Sequence, residues 1–172
     1  MAISATTLTE LLLDVGTLVI GSTDIGATGP EGSFAVEQEI YWPELGGARG
    51  NIAGTGKVVT ESATLQLTVK EISVAGLARA LPTVASSSDA TSEYTTAITF
   101  GMIGTSVHQT VTWTGSQIDG KAIKIILSQA LPEGGLTMNL NDKGESEYEL
   151  TFRSYYAAAT PTTRAWQVYT QK

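Results

Sequence analysis

Alternation with a period of two runs through most of this chain and restricts its fold more than any other feature. In ESEYELTFRSYY, Glu145, Glu147, Glu149, Thr151 and Arg153 fall on one side of an extended backbone, with Tyr148, Leu150, Phe152 and, at its end, Tyr156 on the other. Successive side chains of a strand point to opposite faces, so the segment predicts a half-buried strand with an acidic outer face. SATLQLTVKEI sets Leu65, Leu67 and Val69 against Gln66, Thr68 and Lys70; SVHQTVTW sets Val107, Val111 and Trp113 against His108, Thr110 and Thr112. Further strands are expected at DVGTLVIG, SFAVEQEIYW, EYTTAITFGM, KAIKIILSQA and GLTMNL. About eight short strands separated by turns predict a mainly β chain, a β-sandwich or barrel-like domain.

One helix interrupts the strands. In SVAGLARALP, Ser73 is placed to cap, Val74, Leu77, Ala78 and Leu81 recur at helical spacing, and Pro82 stops the run. Its interior Gly76 costs about 1 kcal/mol relative to Ala, so the helix is expected to be docked on the sheet rather than self-supporting. TTLTELLLD near the N-terminus suits a short helix or an extended arm. GPEG, Gly29 to Gly32, has the Pro and Gly positions of a type I turn, NDKGES closes a hairpin, and SSSDATS, Ser86 to Ser92, is the best flexible linker. There is no internal repeat at a fixed period.

Length and charge narrow the functional classes. The 172 residues fit one domain with room for a hydrophobic core. Only 16% of them are charged, against a usual fraction of about 25%, so many strand faces are polar through Thr and Ser and suit burial against other subunits. The net charge of −7 repels polyanions and argues against nucleic-acid binding by a basic patch. With no cysteine, disulfides, thiolate chemistry and sulfur-rich zinc sites are excluded. The N-terminal apolar run lacks a basic leader and is broken by Glu10 and Asp14, so neither a signal peptide nor a membrane span is expected.

Catalytic constellations are not found. The single histidine, His108, lies on a threonine-bearing face and is read as a surface residue. GNIAGTGKV approaches a phosphate loop, but Asn51 stands where glycine is needed and Val58 where the hydroxyl belongs. NLNDKGESEYEL echoes a calcium loop, but Lys143 takes a ligand position and Leu150 that of the bidentate glutamate. The row Glu145, Glu147, Glu149 admits an acid/base pair, a solvated face, or, in a closed pore of several subunits, rings of negative charge; the solvated face is favoured over catalysis. No enzyme activity, cofactor or metal is expected.

The stretch between Ile40 and Val59 is the conspicuous oddity. It begins and ends like a strand, yet the thirteen residues from Glu44 to Gly56 include five glycines. Typical connections are about 4–6 residues long, and glycine loses the most entropy on ordering. Such a loop has too little apolar side chain to pack on its own domain.

A strand into GATGPEGSF, a second strand, this glycine-rich loop closing on GTGKVV, and then ATLQLTVKEISVAGLARAL followed by more strands resembles the tail tube (major tail) proteins of long-tailed bacteriophages. The resemblance covers about Asp14 to Tyr156. KEIS leading directly into a helix that ends ARAL is similar to a segment common in that family, and GATGPEG to its Gly-Ala-Thr turn, with Pro30-Glu31 replacing glycines. The tubes of contractile tails and of type VI secretion are relatives of the same fold.

The resemblance implies one tail-tube domain over 1–172, with an N-terminal arm (1–13), a long assembly loop (44–56) and a C-terminal segment or arm (157–172). It implies hexameric rings stacked into a hollow tube, a virion component assembled in the host cytoplasm with other tail proteins, through which DNA passes without specific binding. No membrane partner is implied. In the loop, Glu44, Leu45, Arg49, Asn51 and Ile52 are the candidate contacts, with Leu45 and Ile52 entering a neighbour's groove. Trp166, Val168 and Tyr169 are candidate C-terminal anchors, either on an arm added to a neighbour or on one more strand of the domain itself. The alternative function is a carbohydrate-binding or adhesin-type sandwich module, in which Trp42, Trp113 and Trp166 share an exposed face.

Overall fold

The structure, a computed structural model, describes residues 12–44, 46–47, 49–70, 73–97, 103–117, 119–139 and 147–171. It is mainly β. The strands are β1 (Leu12–Ile20), β2 (Thr23–Tyr41), β3 (Lys57–Val69), β4 (Val84–Ser88), β5 (Glu93–Ala97), β6 (Gln109–Gln117), β7 (Ala122–Asn139), β8 (Glu147–Ser154) and β9 (Trp166–Thr170), with one helix, α1 (Val74–Ala80). The main sheet runs β6-β1-β2-β3-β8-β7, and β6 also pairs with β7, so six antiparallel strands close on themselves. The barrel alternative is therefore the one adopted. Closure removes the open edges that a six-stranded sheet would otherwise leave.

The predicted alternation selects the inside of the ring. Leu65, Leu67 and Val69 of β3 and Tyr148, Leu150 and Phe152 of β8 are buried, while Gln66 and Glu149 between them are exposed. Each fully buried Leu, Val or Phe contributes about 1.5–3 kcal/mol by leaving water. Trp113 fits this interior because two glycines make room for its indole. A Cβ on Gly16 would lie 2.4 Å from Trp113 Nε1, and one on Gly115 2.4 Å from the far edge of the ring. The indole N–H donates to Thr28 Oγ1 at 3.2 Å; the same hydroxyl accepts from Gly16 N at 3.2 Å and donates to Gly16 O at 3.1 Å. Buried polar groups cost little only when satisfied in this way.

Helix α1 forms as expected. Ser73 Oγ accepts from Gly76 N at 3.0 Å as the N-cap. Seven residues are too few for an isolated helix. Gly76 permits its docking, since a Cβ there would come within 3.2 Å of Tyr148 Oη on the barrel.

Several sequence expectations are corrected. Gly29 to Gly32 is no turn but lies inside β2. Thr28 pairs with Val69 and Gly32 with Leu67, so β2 advances four residues while β3 advances two. Pro30, with no N–H to give a ladder, sits in that irregularity. KAIKIILSQA and GLTMNL are a single strand, β7. A matching irregularity between Glu133 and Thr137, with Gly134 and Gly135 at φ of +93° and +80°, joins the two segments expected as separate strands.

Ser86 to Ser92 is no flexible linker. Ser86–Ser88 belong to β4, which pairs with β5, and Asp89 Oδ1 closes the turn by accepting from Thr91 N and Ser92 N, both at 2.8 Å. Those backbone donors hold the Asp89 carboxyl below its ordinary range. Tyr156, expected on the core face, lies past the end of β8 and is exposed, because Ser154 takes the last inward position. Val107 lies in a 3-10 turn, Thr105–Val107, ahead of β6. The NDKGES hairpin, residues 98–102 and the N-terminal residues 1–11 lie outside the described residues.

Candidate assembly surface: the β2–β3 arm

The ring does not use all of β2 and β3. Strand β1 pairs with β2 only as far as Ala27, and β8 pairs with β3 only from Thr64 onward. Beyond those points the two strands continue as a ribbon, Glu37 with Ser62 to Tyr41 with Lys57, and no other strand pairs with it among the described residues. Glu37–Tyr41 and residues 57–60 are all exposed. A two-stranded ribbon with both faces in water is marginal in isolation.

Its side chains are not those of a solvated ribbon. Ile40 is 46% exposed, Tyr41 60%, Val58 46% and Val59 57%. A register shift makes Val59 the extra residue between Thr60, paired with Glu39, and Val58, paired with Ile40. That bulge twists the arm and places consecutive valines in solvent.

The glycine-rich loop caps the arm. Trp42 lies over Gly56, where a Cβ would meet the indole at 2.9 Å, and Thr55 Oγ1 donates to Ile52 O at 2.8 Å across a turn containing Gly54 at φ +88°. Glu44, Arg49, Asn51 and Ile52 are exposed, so these candidate contacts share one tip; Leu45 lies outside the described residues.

At the root of the arm sits Glu61, which the sequence reading did not single out. It occupies the inward position of β3 one step beyond Ala63, where the barrel core ends, and its side chain is only 7% exposed. Gln38 of β2 donates to Oε2, while Oε1 accepts from Arg164 Nε at 3.0 Å and Trp166 Nε1 at 2.8 Å. Burial pushes this carboxyl up, but the hydrogen bonds from Gln38 and Trp166 and the Arg164 charge outweigh it, leaving the pKa below the ordinary 4.5. The missed signal was a glutamate in phase with Leu65 and Leu67.

The C-terminal segment reaches this root. Strand β9 pairs with β7 from Thr170 opposite Ile123 to Trp166 opposite Leu127, so the segment is a strand of its own domain. Trp166 is half-buried, packs edge-on against Phe34 with ring centroids 5.8 Å apart, and takes the Arg164 guanidinium on its other contact at 4.9 Å. Val168 and Tyr169 remain about half exposed.

The acidic row lies outside the ring and is partly neutralised. Glu147 is 3.7 Å from Lys70 Nζ, and Glu149 accepts from Gln66 Nε2; Glu145 is outside the described residues. The three tryptophans do not form one exposed platform, since Trp113 is in the core and Trp166 faces Phe34. His108 ends the 3-10 turn edge-on to Tyr155, with ring centroids 5.4 Å apart. Among the described residues no group of three His, Asp or Glu could hold a metal ion.

No family model matches the chain, and no curated protein matches it. Solved structures resemble it in outline. A chain of the anti-feeding prophage cap, the AFP tube terminating cap, is 10% identical with a TM-score of 0.49, over 99% of this chain and 95% of that one. A chain of the PVC extracellular contractile injection system, from its sheath-tube complex in the extended state, is 11% identical with a TM-score of 0.48, over 99% of both chains. A chain from the tail of an empty GTA particle is 12% identical with a TM-score of 0.39, over 91% of this chain and 96% of that one. At these identities and scores the likeness assigns no role.

Proposed function

We propose that the chain is a non-enzymatic structural subunit of a phage-type tail tube. Copies close into hexameric rings, and the rings stack into a conduit through which DNA leaves the virion. Assembly takes place in the host cytoplasm alongside other tail proteins. The observation that carries this reading is the arm: a ribbon exposing Ile40, Tyr41, Val58 and Val59, with ladder edges that no strand of the same chain takes up among the described residues. Exposed apolar surface next to unpaired strand edges is what a second protein covers. If the arm of one copy seats on a different surface of the next, the contact is heterologous and propagates as a ring or filament.

Glu44, Leu45, Arg49, Asn51 and Ile52 at the tip are the proposed contacts with the neighbour. A loop of this composition orders when the neighbour supplies the missing apolar surface, which delays polymerisation until subunits meet. The net charge of −7 suits a lumen that does not grip phosphates. Glu145, Glu147 and Glu149 are candidates for that lining, as Val168 and Tyr169 are for a neighbour-facing patch.

Electron microscopy of the concentrated protein tests the reading, with rings or tubes of uniform diameter expected. Replacing Glu44 to Gly56 by a tight turn should leave the barrel folded and stop tube growth. A protein that stays monomeric at every concentration, or normal tubes from the shortened variant, would overturn it.

A further inference from the structure

Glu61 joins two parts of the molecule that are far apart in the sequence. On one side is the arm root, where Gln38 of β2 donates to one carboxylate oxygen. On the other is the C-terminal segment, whose Arg164 and Trp166 both donate to the second oxygen. Among the described residues, the segment's other hydrogen bonds to the rest of the chain all go to β7: the β9 ladder, Ser128 N to Ala165 O at 2.7 Å, Gln171 N to Ala122 O at 2.9 Å and Ala122 N to Gln171 Oε1 at 3.3 Å. Residues 158–164 are exposed, β9 is five residues long with four of them exposed, and β7 is the one strand it pairs with among the described residues. Ala165 and Trp166 are its buried or half-buried members, and both lie beside Glu61's partner Arg164.

A nearly buried carboxylate that satisfies donors from two separate elements couples them, because losing one set of donors changes how the side chain is held for the other. If β9 leaves, Glu61 loses its charge partner and its indole donor and keeps only the Gln38 hydrogen bond at the arm root. If the root opens, Trp166 loses both its acceptor and the Phe34 ring. From this arrangement we infer that Glu61 is a latch: seating of the C-terminal strand β9 on β7 and ordering of the arm root are one coupled equilibrium. The coupling is reciprocal, so a partner that grips the arm also tightens β9, and a change that frees β9 loosens the arm. The latch does not depend on what the arm binds, and it operates within a single chain.

Hydrogen exchange read by mass spectrometry on the full-length protein, kept dilute so that copies do not meet, tests the coupling. In Glu61→Ala, exchange is expected to accelerate about tenfold or more both in β9 and in the arm root, residues 34–41 and 57–62, as loss of charged hydrogen bonds implies. Peptides from β8 should be unchanged. Trp166→Phe removes only the indole donor and keeps a ring against Phe34, so it should accelerate the same two regions to a smaller extent; it also serves if Glu61→Ala does not fold. Acceleration in β9 with an unaltered arm root, in the arm root with an unaltered β9, or in neither, overturns the latch. Tube formation is not the readout, so failure here is distinct from failure of the tail-tube reading.

Discussion

The Trp166 indole N–H donates to Glu61 Oε1 at 2.8 Å, joining residues 105 positions apart in the chain. The contact brings the C-terminal strand to the point where the barrel core gives way to the exposed arm. It also explains why a tryptophan follows a proline-containing, exposed segment: its ring closes over Phe34 while its polar edge satisfies a carboxylate.

Trp166→Ala should destabilise the domain by about 2 kcal/mol, less than the roughly 3–5 kcal/mol typical of a fully buried aromatic, because the ring is only half-buried. Urea unfolding at neutral pH checks the value. An unchanged midpoint would mean that β9 adds nothing to the fold.

The same site gives a pH dependence of definite sign. The folded Glu61 carboxyl titrates below its ordinary value of 4.5, so its contribution is present above that value and is lost as pH falls through the depressed folded pKa. Arg164 is its cationic partner, and Glu37, Glu39 and Arg153 line the same groove. Wild-type β9 should therefore exchange faster as pH drops below about 4.5, after correction for intrinsic exchange, whereas Glu61→Gln should lack that step. Parallel curves for the two proteins would refute the prediction.

The Trp113 seat should be intolerant of small additions. Gly16→Ala places a methyl 2.4 Å from the indole nitrogen and 2.7 Å from the Thr114 carbonyl oxygen, and Gly115→Ala places one 2.4 Å from the ring edge. Each should cost about 1–3 kcal/mol or more, since an overpacked core must move backbone as well as side chain. Thr28→Val, which deprives both the indole and Gly16 N of their acceptor, should cost about 1–3 kcal/mol. Thermal unfolding together with near-ultraviolet circular dichroism of Trp113 measures both effects.

Arm substitutions should separate stability from assembly. Ile40→Lys and Val58→Lys change exposed positions and should alter monomer stability by no more than about 0.5 kcal/mol. On the proposed function they abolish rings and tubes, visible by sedimentation and electron microscopy. Tubes that form as in the wild type would place the interface elsewhere.

Part of this molecule follows from local pattern. The inward rows of β3 and β8 and the capped helix at Ser73 are legible because each depends on neighbours within a few positions.

Other features were decided only in three dimensions. Gly29 to Gly32 and Gly134-Gly135 look like turns locally, but the ladder needs bulges there to bend long strands around a closed ring, and ring closure is a property of six strands at once. Ser86–Ser88 are polar and small, yet their pairing with β5 outweighs their low strand preference. Glu61's role was hidden for a related reason. On β3 its phase marks it as inward, but whether an inward glutamate is an error or a junction depends on Gln38, Arg164 and Trp166, which only the folded chain brings to its two oxygens. Alternation and capping act over a few residues and are written in order along the chain, whereas closure, bulges and buried charge pairing depend on partners that are distant in the sequence and are brought together only by the fold.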